Sequence, residues 1–307
     1  MLSYALRRLI MLVPTLFVII TAAFFMMRLA PGGPFDQERN LPPEIEANIK
    51  AAYDLDKPLV VQYGLYLGGL LKGDFGPSYK YKDFTVSELI ATGFPTSLKL
   101  GGSAIVIALV LGVAIGSYAA LHQNSRTDHL VMTFAMTGIA LPNYVIAPVL
   151  ALVFGIHLKL LPVAGWSDEG IRHMVLPVVA MTLPYLAYIA RLTRGSMIEV
   201  MHSHHIRTAR AKGLPTRRII LRHALKPALL PVVSFLGPAI AGIVTGSVVI
   251  EQIFQLPGIG RYFVQGALNR DYTLVMGVVV FYATLIMILN LLVDLLYAAL
   301  DPRVRYQ

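Results

Sequence analysis

The side chains of this 307-residue chain that could do chemistry are few, and their spacing argues against most of it. His202, His204 and His205 fall within four residues, and imidazole is a common metal ligand. On a helix, positions 204 and 205 point apart, and Glu199 is the only acid nearby, so the cluster reads as a polar loop face and no metal site is expected. Asn290 and Asp294 stand four apart in an apolar run, a spacing that could serve a proton or ion path. Their closeness to Tyr297 and Asp301 favours an interfacial position or a helix–helix hydrogen bond. Glu251 follows another apolar run, near Pro257, Gly258 and Gly260. Two readings of this group stay open, an external gate or partner contact, and plain loop structure. No Gly-x4-Gly-Lys-Ser/Thr, His-Glu-x-x-His or Gly-x-Ser-x-Gly pattern occurs, so no catalytic residue is assigned and the chain is not expected to hydrolyse ATP itself. Cysteine is absent, which removes disulfides, thiolate metal sites and cysteine nucleophiles.

The elements that would position these residues are membrane spans. The chain is 56% hydrophobic and only 14% charged, with a mean hydropathy of +0.65, whereas soluble domains carry about 25% charged residues. Runs of about 20 apolar residues cross a bilayer, and six are expected, at Leu9–Leu29, Leu100–Leu121, Leu130–Phe154, Met174–Ala190, Leu229–Val249 and Leu274–Leu296. The chain is read as a single transmembrane domain over residues 1–307. Pro14, Pro142, Pro148, Pro177, Pro184 and Pro238 fall inside spans, so neighbouring helices must satisfy the carbonyls they free, and an all-α bundle is predicted. Gly112 and Gly116, and Gly242 and Gly246, form GxxxG pairs that would let helices approach closely. Arg7, Arg8, Arg126, Arg303 and Arg305 fall on one side if both termini are cytoplasmic, which leaves residues 30–99 outside. The net charge of +9 is explained by this orientation, without nucleic acid.

The basic run Arg191–Pro227 belongs to the inner side and fills a cytoplasmic loop over residues 191–228. Nine cations (Arg191, Arg194, Arg207, Arg210, Lys212, Arg217, Arg218, Arg222, Lys226) face one acid, Glu199. Ser196-Met197-Ile198-Glu199 matches a capping box and predicts a helix start. Gly213 and Pro215 predict a stop, and Thr216 a second short helix weakening near Pro227. Across Arg207-Thr208-Ala209-Arg210-Ala211-Lys212-Gly213-Leu214-Pro215, Ala209 and Gly213 would share a small-residue helical face flanked by arginines. That face suits insertion into a cleft of a soluble partner; the alternative is a solvated basic loop that holds topology or touches anionic lipid.

At this point the chain resembles a family. IRTARAKGLP followed by RHALKPALLP is similar to the EAA loop of ABC-importer permeases in their peptide and nickel branch, although Arg207 stands where the general pattern has Glu. MMRLAPGGPF at Met26–Phe35, KGDFGPSY at Lys72–Tyr79, ARLTRGSMIEV at Ala190–Val200, VIEQIFQLPGIGR at Val249–Arg261, NRDY at Asn269–Tyr272 and DPRVRY at Asp301–Tyr306 extend the match over nearly the whole length. Within that branch the likeness is to B-type subunits of oligopeptide importers. The resemblance implies a six-helix type I importer permease bundle in the bacterial inner membrane, with a coupling helix that docks an ATPase. It implies a second similar permease, two cytoplasmic ATPase subunits that hold ATP and Mg, an external solute-binding protein, and a peptide in transit between the permeases. No cofactor is expected on this chain. Dipeptide, glutathione or nickel-complex permeases, and an ion-coupled transporter using Asp294, are the competing readings.

Overall fold

The computed structural model describes residues 2–29, 51, 54–81, 83–167 and 171–300, with the side chains of residues 2–8, 246 and 300 outside the description. Residues 30–50 of the expected external segment, the second half of the MMRLAPGGPF motif and the DPRVRY motif also lie outside it. The described chain is helical apart from loops and one isolated bridge between Pro77 and Thr85. In order the helices are α1 (Leu2–Leu29), α2 (Leu59–Leu70), α3 (Val86–Leu121), α4 (Arg126–Ala140), α5 (Asn143–Leu150), α6 (Arg172–Met201), α7 (His204–Ala211), α8 (Thr216–Arg218), α9 (Leu225–Ala228), α10 (Leu230–Ile253), α11 (Ile259–Leu268) and α12 (Tyr272–Leu300). A π-helical segment, Ala151–His157, extends α5, and another, Ile219–Ala224, joins α8 to α9.

Five described helices are long and apolar enough to cross a membrane, and six spans result if the bent pair α4 and α5 counts as one. That pair corrects the expected span Leu130–Phe154, because the two halves meet at 103°. The cause is local. A residue before proline is driven out of the α region, and Leu141, ahead of Pro142, adopts φ −97° and ψ 122°. The helix that contains the second expected span, Leu100–Leu121, starts at Val86. Here Thr85 and Glu88 form a capping box, the Thr85 N–H donating to Glu88 Oε2 at 2.8 Å and the Glu88 N–H to Thr85 Oγ1 at 3.2 Å.

Contacts divide the chain into two compact units. The first comprises residues 1–10, 98–256 and 286–307; the second comprises residues 11–97 and 257–285. The core of the first unit gathers Leu100, Ala104, Ile146, Leu176, Met181, Ile243, Ile250 and Phe254. Small residues set its helix spacing, as close backbone approach in lipid requires. A Cβ on Gly112 would lie 2.8 Å from Ile189, and one on Gly116 only 2.3 Å from the Ala190 carbonyl. A Cβ on Gly242 would run into the Tyr185 hydroxyl, and one on Gly237 would lie 2.7 Å from the Asn290 side-chain oxygen. Asn290 thus packs at a helix crossing.

In the second unit, Val86, Leu89, Ile90, Ile259, Leu274 and Val278 form the core. Asp271 is fully buried and begins α12 by accepting from the Leu274 N–H at 3.1 Å. It also accepts from Ser78 and from the Lys80 N–H, while the Thr273 hydroxyl donates to the Pro77 carbonyl at 2.7 Å. The KGDFGPSY and NRDY motifs are therefore two halves of one buried polar knot.

Candidate functional site

The basic loop is a folded elbow built on the end of α6. The helix start expected at Ser196 does not occur, because α6 runs without interruption from Arg172 to Met201. The helix carries straight through Gly195, so a capping pattern inside it has nothing to cap. The break comes at Ser203, which is extended (φ −70°, ψ 159°) and whose hydroxyl donates to the Val200 carbonyl at 2.6 Å. α7 follows and ends in a Schellman turn. Gly213 adopts φ +70°, its N–H donates to the Arg210 carbonyl at 2.9 Å, and the Leu214 N–H reaches back to Ala209 O at 3.3 Å. Pro215 then starts the next helical run, which continues through Pro227 to Ala228 across the π-helical segment.

This geometry corrects the proposed small-residue face. Ala209 is buried and packs with Ile206 against Met197, Ile219, Ala224 and Ala228. Gly213 lies beyond the helix in a turn, where an added Cβ would meet nothing within 4 Å. Its glycine serves backbone handedness rather than close approach. The outward surface of α7 instead carries Arg207, Thr208, Arg210 and Ala211, continued by exposed Lys212, Gly213 and Pro215, while Leu214 is half-buried at its base. Arg210 borders an open cleft of about 340 Å³ shared with His122, Gln123, Ser125, Met201 and His202. Two of the three histidines are tied locally, His202 Nδ1 to the Ile198 carbonyl at 2.8 Å and His205 Nδ1 to the Ser203 hydroxyl at 2.9 Å. Among the described residues no group of three metal-ligating side chains forms.

An ion pair the sequence reading missed anchors the elbow. Asp128, in the first turn of α4, is buried and accepts from Arg194 Nε at 2.7 Å, Arg194 Nη2 at 2.6 Å and the Asn124 N–H at 2.9 Å. The Ser125 side chain accepts from the Asp128 N–H at 3.1 Å and caps the helix. Arg194 is thus not one of the free cations of the loop. The signal lay in Ser125-Arg126-Thr127-Asp128, a cap followed by an acid in the first turn, opposite a loop rich in arginine.

Glu251 and the residues after it are mostly buried. Glu251 lies inside α10, fully buried, and its carbonyl accepts the Leu256 N–H at 2.8 Å to close the helix end. Gly258 and Gly260 are buried and Pro257 is half-buried. A Cβ on Gly93 of α3 would lie 2.9 Å from the Ile259 nitrogen, and the Ile259 N–H donates to Ser97 Oγ at 3.0 Å. Gly93, Ser97 and Ile259 thus hold α3 against the turn that begins α11.

Comparison with known proteins fits this architecture. Residues 112–306 match the family described as binding-protein-dependent transport system inner membrane component, and residues 1–101 match the N-terminal region of such membrane components. The chain is 58% identical over 306 residues to the oligopeptide transport system permease protein OppB of Salmonella typhimurium, covering 100% of both chains. It is 45% identical to the dipeptide transport system permease protein DppB of Bacillus subtilis, over 99% of this chain and 98% of that one. Among solved structures, the MetNI methionine ABC transporter in inward-facing form shares the fold, with a TM-score of 0.60 at 16% identity over 70% of this chain and 97% of the other. Matched along nearly its whole length, the chain belongs to the binding-protein-dependent transport system inner membrane components.

Proposed function

We propose that this chain is the transmembrane permease subunit of an ATP-driven importer and forms half of the pathway for oligopeptides delivered by an external binding protein. It is a multi-pass protein of the bacterial inner membrane. The observation that carries the coupling role is the elbow, whose inner face is fixed to its own stalk while Arg207, Arg210, Ala211 and Lys212 stand outward. A surface presented this way can transmit displacement only if a partner binds it differently in two states, since equal affinity for both shifts nothing. The partners that fit are two cytoplasmic ATPase subunits, which hold ATP and Mg, and a second permease of the same family. This chain contributes no catalytic residue; its Arg207, Thr208, Arg210, Ala211, Lys212 and Gly213 carry the coupling contact. The identity to OppB supports an oligopeptide cargo, and the identity to DppB makes dipeptides the second reading.

The test uses the assembled transporter in proteoliposomes. Peptide uptake requires ATP and the ATPase subunits and survives an uncoupler while ATP is maintained; uptake driven by a proton gradient without ATP would reject the assignment. The chain has no cysteine, so Ala211→Cys can be labelled without further change to it. A crosslinker at that position captures an ATPase subunit, and failure to do so in a working complex would reject the elbow as coupling element.

A further inference from the structure

The second unit contains a polar cavity of about 220 Å³ that the transport reading does not use. It is lined among others by Arg28, Gln62, Tyr66, Asp74 and Tyr79. Three buried polar atoms there, Arg28 Nε, Gln62 Oε1 and Tyr66 Oη, have no hydrogen-bond partner among the described residues. Such groups are rare and costly in folded proteins unless something satisfies them. Their roles are fixed. The Gln62 amide nitrogen donates to the Lys57 carbonyl at 2.7 Å and to that of Leu55 at 3.3 Å, which leaves Oε1 as an acceptor. Arg28 can only donate, and its guanidinium is held by the Tyr79 hydroxyl at 3.4 Å and by the Phe24 ring at 5.5 Å. Burial pushes the Tyr66 phenol up, so it remains a protonated donor at neutral pH. Asp74, whose Oδ1 accepts the Gly76 N–H at 2.8 Å, adds negative charge to the same wall. The cavity therefore offers donors for an anion and acceptors for an N–H cation.

The helix bearing two of these groups shows what kind of molecule carries both. α2 has 12 residues, too short to span a bilayer. Gln62 is only 8% exposed, while Leu59, Val60, Val61 and Leu65 are exposed at 41%, 77%, 45% and 49%. This is the reverse of a water-facing helix: its polar side chain is inside and its apolar side outside, as a lipid-facing helix requires. Arg28 sits one residue from the end of the apolar span Leu9–Leu29, at the level where arginine reaches the headgroups.

We propose that this cavity binds the headgroup of a zwitterionic phospholipid with a primary ammonium, a phosphoethanolamine lipid. Its phosphate accepts from Arg28 and Tyr66, its ammonium donates to Gln62 Oε1 and faces Asp74, and its acyl chains cover the apolar side of α2.

The assembled transporter in nanodiscs of equal phosphatidylethanolamine and phosphatidylcholine, read by native mass spectrometry, tests this. Retained lipid favours phosphatidylethanolamine by about fivefold or more, because a quaternary ammonium has no N–H to give Gln62. Tyr66→Phe, which keeps shape and removes one hydroxyl, lowers that retention about two- to tenfold, and Arg28→Gln lowers it further. Intact assembly of each variant is checked by gel filtration, and Tyr66→Phe alone decides if Arg28→Gln fails to assemble. Equal retention of the two lipids, or unchanged retention in Tyr66→Phe, overturns the proposal. Displacement by soluble glycerophosphoethanolamine at the same concentration overturns the lipid as the source of the headgroup.

Discussion

The Asp128–Arg194 pair offers the sharpest perturbation of the elbow, through Arg194→Met. Methionine keeps much of the aliphatic stem and removes the fork that donates at 2.7 and 2.6 Å. Asp128, with 1% of its side chain exposed, then keeps the Asn124 N–H as its one hydrogen bond among the described residues. Breaking a buried pair from one side costs about 3–5 kcal/mol. Arg194 itself is 26% exposed, so solvent screens part of that loss and about 2–3 kcal/mol is expected. The double variant Asp128→Asn with Arg194→Met removes the stranded charge, and should recover about half of the loss. The swap Asp128→Arg with Arg194→Asp should recover little, since position 128 must also accept from Asn124. Hydrogen exchange of amides 124–130 and 190–201, with thermal unfolding of the purified complex, measures all four proteins. A double variant as unstable as Arg194→Met would refute the argument that an unpaired buried carboxylate dominates the cost. In transport assays, Arg194→Met should leave ATP hydrolysis running with reduced uptake.

Gly213→Asn should be nearly silent and Gly213→Val should loosen the elbow by about 1–2 kcal/mol, because φ +70° is open to asparagine and costly for a branched residue; hydrogen exchange at 209–214 separates them. Ala209→Leu should destabilise the complex by about 1–3 kcal/mol by overfilling the contact with Ile206 and Ile219, whereas Ala211→Leu should leave thermal unfolding unchanged and weaken ATPase capture. Gly116→Ala should cost about 1–3 kcal/mol, since its methyl would fall 2.3 Å from the Ala190 carbonyl, while Gly195→Ala, with open space around it, should not destabilise. Scanning calorimetry of the two glycine variants checks this pair.

Apolar runs and basic flanks made the spans legible, because lipid imposes length and composition directly. Junction geometry was less legible, since it depends on what precedes a motif. Thr85-Val86-Ser87-Glu88 and Ser196-Met197-Ile198-Glu199 carry the same cap spacing, yet only the first begins a helix. Gly73, Gly76 and Asp83, all at positive φ, force a turn before Thr85, whereas Ser196 sits within residues already committed to α6. Likewise six of the chain's prolines were noted within spans, but the sharp bend falls at Pro142, where Leu141 leaves the helix. At the elbow the sequence put Ala209 and Gly213 on one helical face, whereas Ala209 is buried and Gly213 lies in the turn beyond α7. Alternation of Arg207, Thr208, Arg210 and Ala211 with Ile206 and Ala209 reveals the inner face only once the apolar bed of Met197, Ile219 and Ala224 is known. The pairing of Asp128 with Arg194 spans 66 positions, and no local pattern carries such information.

Because α7 is clamped onto α6 at its base, there is little slack between the tip of the elbow and the rod behind it. From Pro184 to Met201 that rod is about 27 Å long at 1.5 Å per residue. Tilting it by about 5° sweeps its far end through about 2 Å, comparable to the helix shifts that switch other assemblies. Under the coupling role proposed above, the elbow acts as a crank welded to its shaft, and a push a few ångströms wide at its tip is passed along α6.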